Sequence, residues 1–304
     1  MKMKSSAAPI LLILLSGLLW GTLGTFVTYL RQAGFSTMQI VFVRAAVTTV
    51  LLGLYILVTD KSKFRFRLCD AWIFIGTGII SFTAFTVCNQ IAMQLCSLSI
   101  AAALLYTSPA FILIFSAILF GERLTVQKIT AIAVTVFGCF LVSGLLTPGA
   151  AVSVPGILAG VVSGLCYGLY SIFGRYGVEK YDTMTVTFYT FVLVSLAALP
   201  FANVGNLAEN CISPTAPWVV PTLLAFGPVT CLVPYLAYTA GLRGTEPGTA
   251  GILATVEPVV STVLSVVIFH EAMNWQKIAG IVCILGSVVI VNVGGRERKR
   301  KQNK

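Results

Sequence analysis

In the stretch "ATVEPVV" (254–260), Glu257 stands directly before Pro258, inside a segment from Pro247 to Phe269 that has no other charge. A carboxyl group there has three uses. It can take up and release a proton, and so couple a movement to a proton gradient. It can hold a cationic group such as a substrate ammonium. Or it can serve structure, because Pro258 lacks an amide proton and frees the carbonyl of Ala254, so a polar neighbour helps satisfy the exposed backbone. Glu257 is the eleventh of 23 residues in its run and falls near the middle of a helix made from it. An ionised side chain at a bilayer centre costs at least about 2.5–3.5 kcal/mol. Such a residue must face a cavity, pair with a cation, or be neutral, and apolar surroundings favour the neutral acid.

Other polar side chains interrupt the apolar runs. Arg44 is the seventh residue of the run 38–58. It can snorkel toward the headgroups, enter a structural pair, or line a cavity and attract carboxylate groups. A pair with Glu257 is one such arrangement. In "LLYTSPA", Tyr106, Thr107 and Ser108 put three hydroxyls before Pro109. Successive residues of a helix lie about 100° apart, so all three cannot face one cavity; Tyr106 and Thr107 are expected toward it or toward a neighbouring helix. Trp20 and Tyr167 each sit among glycines, Tyr170 lies one turn beyond Tyr167, and Asn89 and Tyr238 sit late in their runs. Each of these has a competing role in helix packing or interhelical hydrogen bonding.

Signals for enzyme chemistry are weak. The single histidine, His270, begins "HEAMN", which starts like a zinc-binding HExxH but has Asn274 in place of the second histidine. The sequence offers no glycine-rich phosphate loop, close carboxylate pair or CxxC, so no cofactor or metal is expected. The eight cysteines read as small apolar residues. A passive channel would need a polar ring or filter loop, which is not visible.

The whole chain must position these residues in lipid. Of 304 residues 57% are hydrophobic and 10% charged, against roughly 25% charged in soluble domains. Ten runs are long enough to cross a bilayer: 9–30, 38–58, 71–92, 98–120, 126–145, 154–174, 183–203, 217–240, 247–269 and 277–293. The first imitates a secretory signal, but no small-x-small cleavage site follows and the run continues to Leu30, so it is read as a retained span. The longest connection, around Asn203–Pro217, is about fifteen residues, too short to be a soluble domain. With the N-terminus inside, the inner connections hold Lys2, Lys4, Lys61, Lys63, Arg65, Arg67, Arg123, Lys128, Arg175, Lys180, Arg243 and the six bases of the tail, while the outer ones hold Arg31 and Lys277. That bias puts both termini in the cytoplasm. The basic clusters, with net charge +10, suit anionic lipid rather than nucleic acid.

The chain also repeats itself. Shifted by 149 residues, "SPAFILIFSAILFGERLTVQKI" (108–129) overlays "EPVVSTVLSVVIFHEAMNWQKI" (257–278), matching Pro109 with Pro258, Ser116 with Ser265 and Glu122 with Glu271. Thr125 and Asn274 become matched helix N-caps. A shift of 147 aligns "SGLLWGTLGTF" (16–26) with "SGLCYGLYSIF" (163–173), and Trp20 with Tyr167. Five spans per half is odd, so the halves are expected to be inverted in the membrane, with a substrate site near the midplane.

In these residues the chain resembles the EamA-type members of the drug/metabolite transporter superfamily. The two proline-to-glutamate segments carry the resemblance, which covers nearly the whole chain. It implies a carrier of a small organic solute in the inner membrane, often an exporter of amino acids or other metabolites, with a central cavity reached alternately from either side. It also implies that a glutamate at the position of Glu257 recurs among carriers of different substrates, which weakens its reading as a substrate selector. The resulting expectation is an all-α integral membrane protein of ten transmembrane helices in two inverted five-helix repeats, 1–147 and 148–295, with a basic tail at 296–304. Its partners are a small-molecule substrate and the lipid bilayer. Protons are the candidate coupling ion and a homodimer is the candidate assembly. A membrane-embedded enzyme or a passive channel is the alternative.

Overall fold

Each apolar run of the sequence forms a helix. In this computed structural model, residues 7–96, 98–143, 153–212 and 217–302 are described, apart from the side chains of 98, 99, 212 and 292–302. Among the described residues nine helices are long and apolar enough to span a bilayer: α1 Ala8–Gln32, α2 Thr37–Thr59, α3 Leu68–Leu95, α4 Ile100–Phe120, α5 Val126–Ser143, α6 Val154–Lys180, α7 Thr183–Phe201, α8 Val219–Gly241 and α9 Pro247–Phe269. A shorter apolar helix, α10 Trp275–Val291, completes ten, and its helical path continues to Gln302. Among the described residues there is no strand. The protein is an all-α, multi-pass membrane protein. The expected basic tail lies outside the described side chains.

The ends follow local chemistry. Ser36 begins α2 with a capping box, accepting from the amide of Gln39 at 3.2 Å while the Gln39 side chain accepts from the Ser36 amide at 2.8 Å. Thr125 and Asn274 cap α5 and α10 as expected, accepting from the amides of Lys128 at 3.3 Å and Lys277 at 2.9 Å. The connection after α7 is not all loop. It contains a short helix, Val204–Ile212, tied to α2 where Gln39 Nε2 donates to Asn206 Oδ1 at 3.0 Å.

Five spans are interrupted among the described residues. α1 stops at Trp20 and restarts at Leu23. α4 stops at Leu105 and restarts at Ser108; α9 stops at Ala254 and restarts at Val256. In both, proline sits in the first turn of the restarted helix, where its missing amide proton costs nothing. α3 carries a π-helical segment at Gly76–Thr83, and α8 carries one at Pro228–Leu232.

The contacts divide the chain into two compact units. The first comprises Met1–Thr83 and Phe173–Gly244. Within it α2 packs on α7 and α1 on α8. The hydroxyls of Thr77 and Thr190, both buried, meet at 2.6 Å and join α3 to α7. Lys180 Nζ bonds Asp70 Oδ1 at 2.5 Å, and Tyr181 Oη donates to Asp70 Oδ2 at 2.6 Å, binding the start of α3 to the end of α6.

The second unit comprises Ala84–Ile172 and Thr245–Lys304. Here α5 and α10 pack along each other. A Cβ added at Gly280 would lie 2.6 Å from the carbonyl oxygen of Gly138, and Thr135 Oγ1 donates to Ser287 Oγ at 2.6 Å. Small residues and an interhelical hydroxyl pair are what hold helices together where the solvent is itself apolar. α6 approaches the interruption of α4 just as closely: a Cβ at Gly164 would come within 2.8 Å of the Leu104 carbonyl oxygen.

Candidate functional site

In the second unit, the interruption of α9 places Glu257. Thr255 ends the first segment, its hydroxyl turned back onto the Ile252 carbonyl at 2.5 Å. The helix restarts at Val256, so Glu257 lies in a first turn. There the free amides and the helix dipole favour negative charge. The carboxylate also has a side-chain donor, since Tyr167 Oη bonds Glu257 Oε2 at 2.9 Å. Tyr167 comes from the glycine-rich face of α6, and its ring meets Phe85 edge-on with centroids 5.2 Å apart. Tyr106 packs against the cluster of Cys139, Val259 and Ile284, of which Val259 is two residues beyond Glu257 on α9. Three residues named from sequence, Glu257, Tyr167 and Tyr106, are thus brought together.

Their neighbours do other things. The Thr107 hydroxyl, expected toward a cavity or a neighbouring helix, lies on the side of α6, where a Cβ at Gly164 would come within 3.0 Å of it, and donates to the carbonyl of Leu104 within its own helix at 2.7 Å. An interrupted helix exposes its last carbonyls, and a threonine at the break is the nearest donor. Ser108 and Tyr170 are buried, as are Pro109 and Pro258 at the restarts. Asn89 is half-buried, and its Oδ1 has no hydrogen-bond partner among the described residues.

In the first unit the isolated charge is Arg44. It is 6% exposed, so it is turned into the protein rather than snorkelling along its surface. Its guanidinium carbon lies 4.8 Å from the ring centroid of Phe82 and 6.0 Å from that of Phe226. Aromatic faces attract a cation at such distances. Gly227 lets α8 press onto α2 at this level, and Thr48 Oγ1 lies 3.3 Å from the Gly227 carbonyl. From Phe82 the rings continue to Tyr235 at 5.6 Å and from Tyr235 to Trp20 at 5.0 Å, with Tyr238 also 5.2 Å from Trp20. Trp20 and Tyr238 were named from sequence; Phe82, Phe226 and Tyr235 were not. Tyr235 lies one turn from Tyr238, a spacing that could have flagged it. Phe82 carries no such signal, because the π-helical segment sets its direction.

Sequence reasoning also missed an ionic cluster in the second unit. Glu122, 5% exposed, bonds Lys128 Nζ at 2.6 Å through Oε1. Its Oε2 accepts from the Gly248 amide at 2.9 Å and from the Ser116 hydroxyl. Lys128 also reaches Glu246 at 2.6 Å. A signal was present: the matched pair Glu271–Lys277 has the same spacing and is closed at 2.9 Å. Among the described residues no group of three His, Cys, Asp or Glu is placed to hold a metal ion.

Ten apolar helices among the described residues, with interrupted spans and buried charges, define a polytopic membrane protein. The comparisons then give the family. The EamA-like transporter family matches residues 7–144 and again 154–293, and the chain belongs to it. The protein is therefore a transporter of the drug/metabolite transporter superfamily, as the two proline-to-glutamate segments implied. It is similar to an uncharacterized transporter of Archaeoglobus fulgidus, at 29% identity over 91% of this chain and 94% of that protein. It is also similar to the aromatic amino acid exporter YddG of Ancylobacter novellus, at 25% identity over 67% of this chain and 70% of that protein. One crystal structure overlays with a TM-score of 0.79 at 20% identity, covering 96% of this chain and 99% of that one, which supports the fold.

Proposed function

We propose that this transporter is a secondary active carrier that moves a small organic metabolite across the cytoplasmic membrane by alternating access, in the direction of export and with protons as coupling ion. One observation carries the reading: the Glu257 carboxyl at the mid-span restart of α9, bonded to Tyr167 at 2.9 Å. Carriers build their solute and ion sites from interrupted helices near the midplane, where helix ends offer unpaired backbone groups. A carboxyl that meets a tyrosine hydroxyl and a helix N-terminus has partners as an anion, and its position in an apolar span makes protonation the route to a neutral state. The family duplicates its match over both halves, in keeping with two five-helix repeats at 1–147 and 148–295. The name of the Ancylobacter relative points to aromatic amino acids as the first solutes to test.

The test uses purified protein in liposomes, loaded with aromatic amino acids and assayed for saturable counterflow with and without an imposed pH gradient. Wild-type protein should exchange solute in both conditions and accumulate it only with the gradient. Glu257→Gln should abolish gradient-driven flux but spare exchange. Unchanged gradient-driven flux in that variant would remove the proton role, and non-saturable flux without counterflow would favour a channel.

A further inference from the structure

The first unit holds a buried cation that the proton role of Glu257 does not use. Arg44 is 6% exposed and forms no ion pair among the described residues; its Nε has no hydrogen-bond acceptor there. The rings of Phe82 and Phe226 offset part of its desolvation but accept no N–H bonds in the plane of the guanidinium fork. A second donor in the same aromatic chain is also unsatisfied: Trp20 Nε1 is buried without a partner, and its ring reaches Phe82 through Tyr235. Buried donors without acceptors are rare in folded proteins and mark places where an acceptor binds. Two of them lie along one run of rings.

We propose that Arg44 and the rings of Trp20, Phe82, Tyr235 and Phe226 bind the carboxylate end of an organic monoanion that has a flat apolar body. The guanidinium takes the two carboxylate oxygens as a fork, and the rings take the body. Charge selects the class. One guanidinium neutralises one negative charge; a phosphate monoester would keep an uncompensated charge among aromatic rings. The anionic phosphodiester of a lipid headgroup shares the monoanion chemistry, but it brings two acyl chains rather than a flat body. The assignment rests on the carrier reading, for which it names the substrate class.

The experiment is calorimetric binding to the purified full chain in neutral detergent, with three probes of one shape: 3-phenylpropionate, 3-phenylpropionamide and phenethylamine. The carboxylate should bind at least about tenfold tighter than the amide, the difference expected of a charge-assisted pair. Arg44→Gln should lose that preference, and Arg44→Lys, which keeps charge without the fork, should fall between. The comparison among probes needs no variant, so it stands even if Arg44→Gln fails to fold. Equal binding of acid and amide overturns the proposal, as does a monodisperse Arg44→Gln that retains the preference. Displacement of 3-phenylpropionate by stoichiometric phosphatidylglycerol would assign the cation to a lipid and also overturn it. Liposome exchange separates the two readings. Exchange of amine or amide with no preference for the acid leaves the carrier standing and sinks the anion site, whereas no exchange of any probe sinks the carrier reading as well.

Discussion

His270 shows how the repeat reaches down to a single backbone angle. It holds φ at 55°, a left-handed value that costs an L-residue roughly 1–2 kcal/mol. Its mate 149 residues earlier is Gly121, with φ at 66°. Each follows the last residue of a helix, Phe269 or Phe120, and the next amide along, that of Glu271 or Glu122, donates to the matched serine carbonyl, Ser265 or Ser116. The first half keeps the glycine this cap prefers, while the second carries a histidine in the same conformation. The His270 side chain is exposed. His270→Gly should therefore stabilise the protein by about 1 kcal/mol, and Gly121→Ala should destabilise it by a similar amount. Thermal unfolding in detergent checks both, and a His270→Gly protein that melts lower would mean the imidazole has a role the backbone argument misses. The same residue scale shows what sequence could and could not give. Glu257 was legible because a lone acid in an apolar run has few uses. The rings around Arg44 were not, because they come from α3 and α8, and packing between distant segments decides which face of a helix meets which cation.

At the level of elements, the ten spans and both proline restarts were legible, since length, hydropathy and a missing amide proton are local properties. The π-helical segments were not. They shift the register of α3 and α8 by a fraction of a turn, and apolar side chains all round a span leave no pattern to betray it. The two matched ion pairs make the sharper case. Sequence makes Glu122–Lys128 and Glu271–Lys277 equivalent, but burial separates them: the Glu122 side chain is 1% exposed and that of Glu271 is 52%. Lys128→Met leaves Glu122 buried with the Gly248 amide and the Ser116 hydroxyl but no cation. Breaking a buried pair in this way costs about 3–5 kcal/mol. Lys277→Met breaks an exposed pair and should cost less than about 1 kcal/mol. Glu246, at 60% exposure, is a secondary partner of Lys128, so Glu246→Gln should also stay within about 1 kcal/mol. Unfolding midpoints of the three variants rank these effects; equal losses for Lys128→Met and Lys277→Met would mean the burial difference has no energetic weight.

For the whole molecule, the distribution of charge predicts orientation, and span count ties the two ends of the argument together. The connection between α2 and α3 holds Lys61, Lys63, Arg65 and Arg67, whereas that between α9 and α10 holds Lys277 as the repeat copy of Lys128. Lys277 is engaged by Glu271 at 2.9 Å, but acids contribute little to topology, so the imbalance rests on the counts of Lys and Arg. It predicts the α2–α3 connection in the cytoplasm and the α9–α10 connection outside. Cys69 at the start of α3 is exposed and serves as a native reporter for the first; Ala272, exposed between α9 and α10, can carry a cysteine for the second. Between them lie α3 to α9, an odd number of spans. In intact cells a membrane-impermeant maleimide should label Ala272→Cys and leave Cys69 unlabelled until the membrane is permeabilised. Labelling of Cys69 alone would invert the protein and count against the charge bias. Labelling of both in intact cells would put them on one side, and one of the seven intervening helices would then not cross.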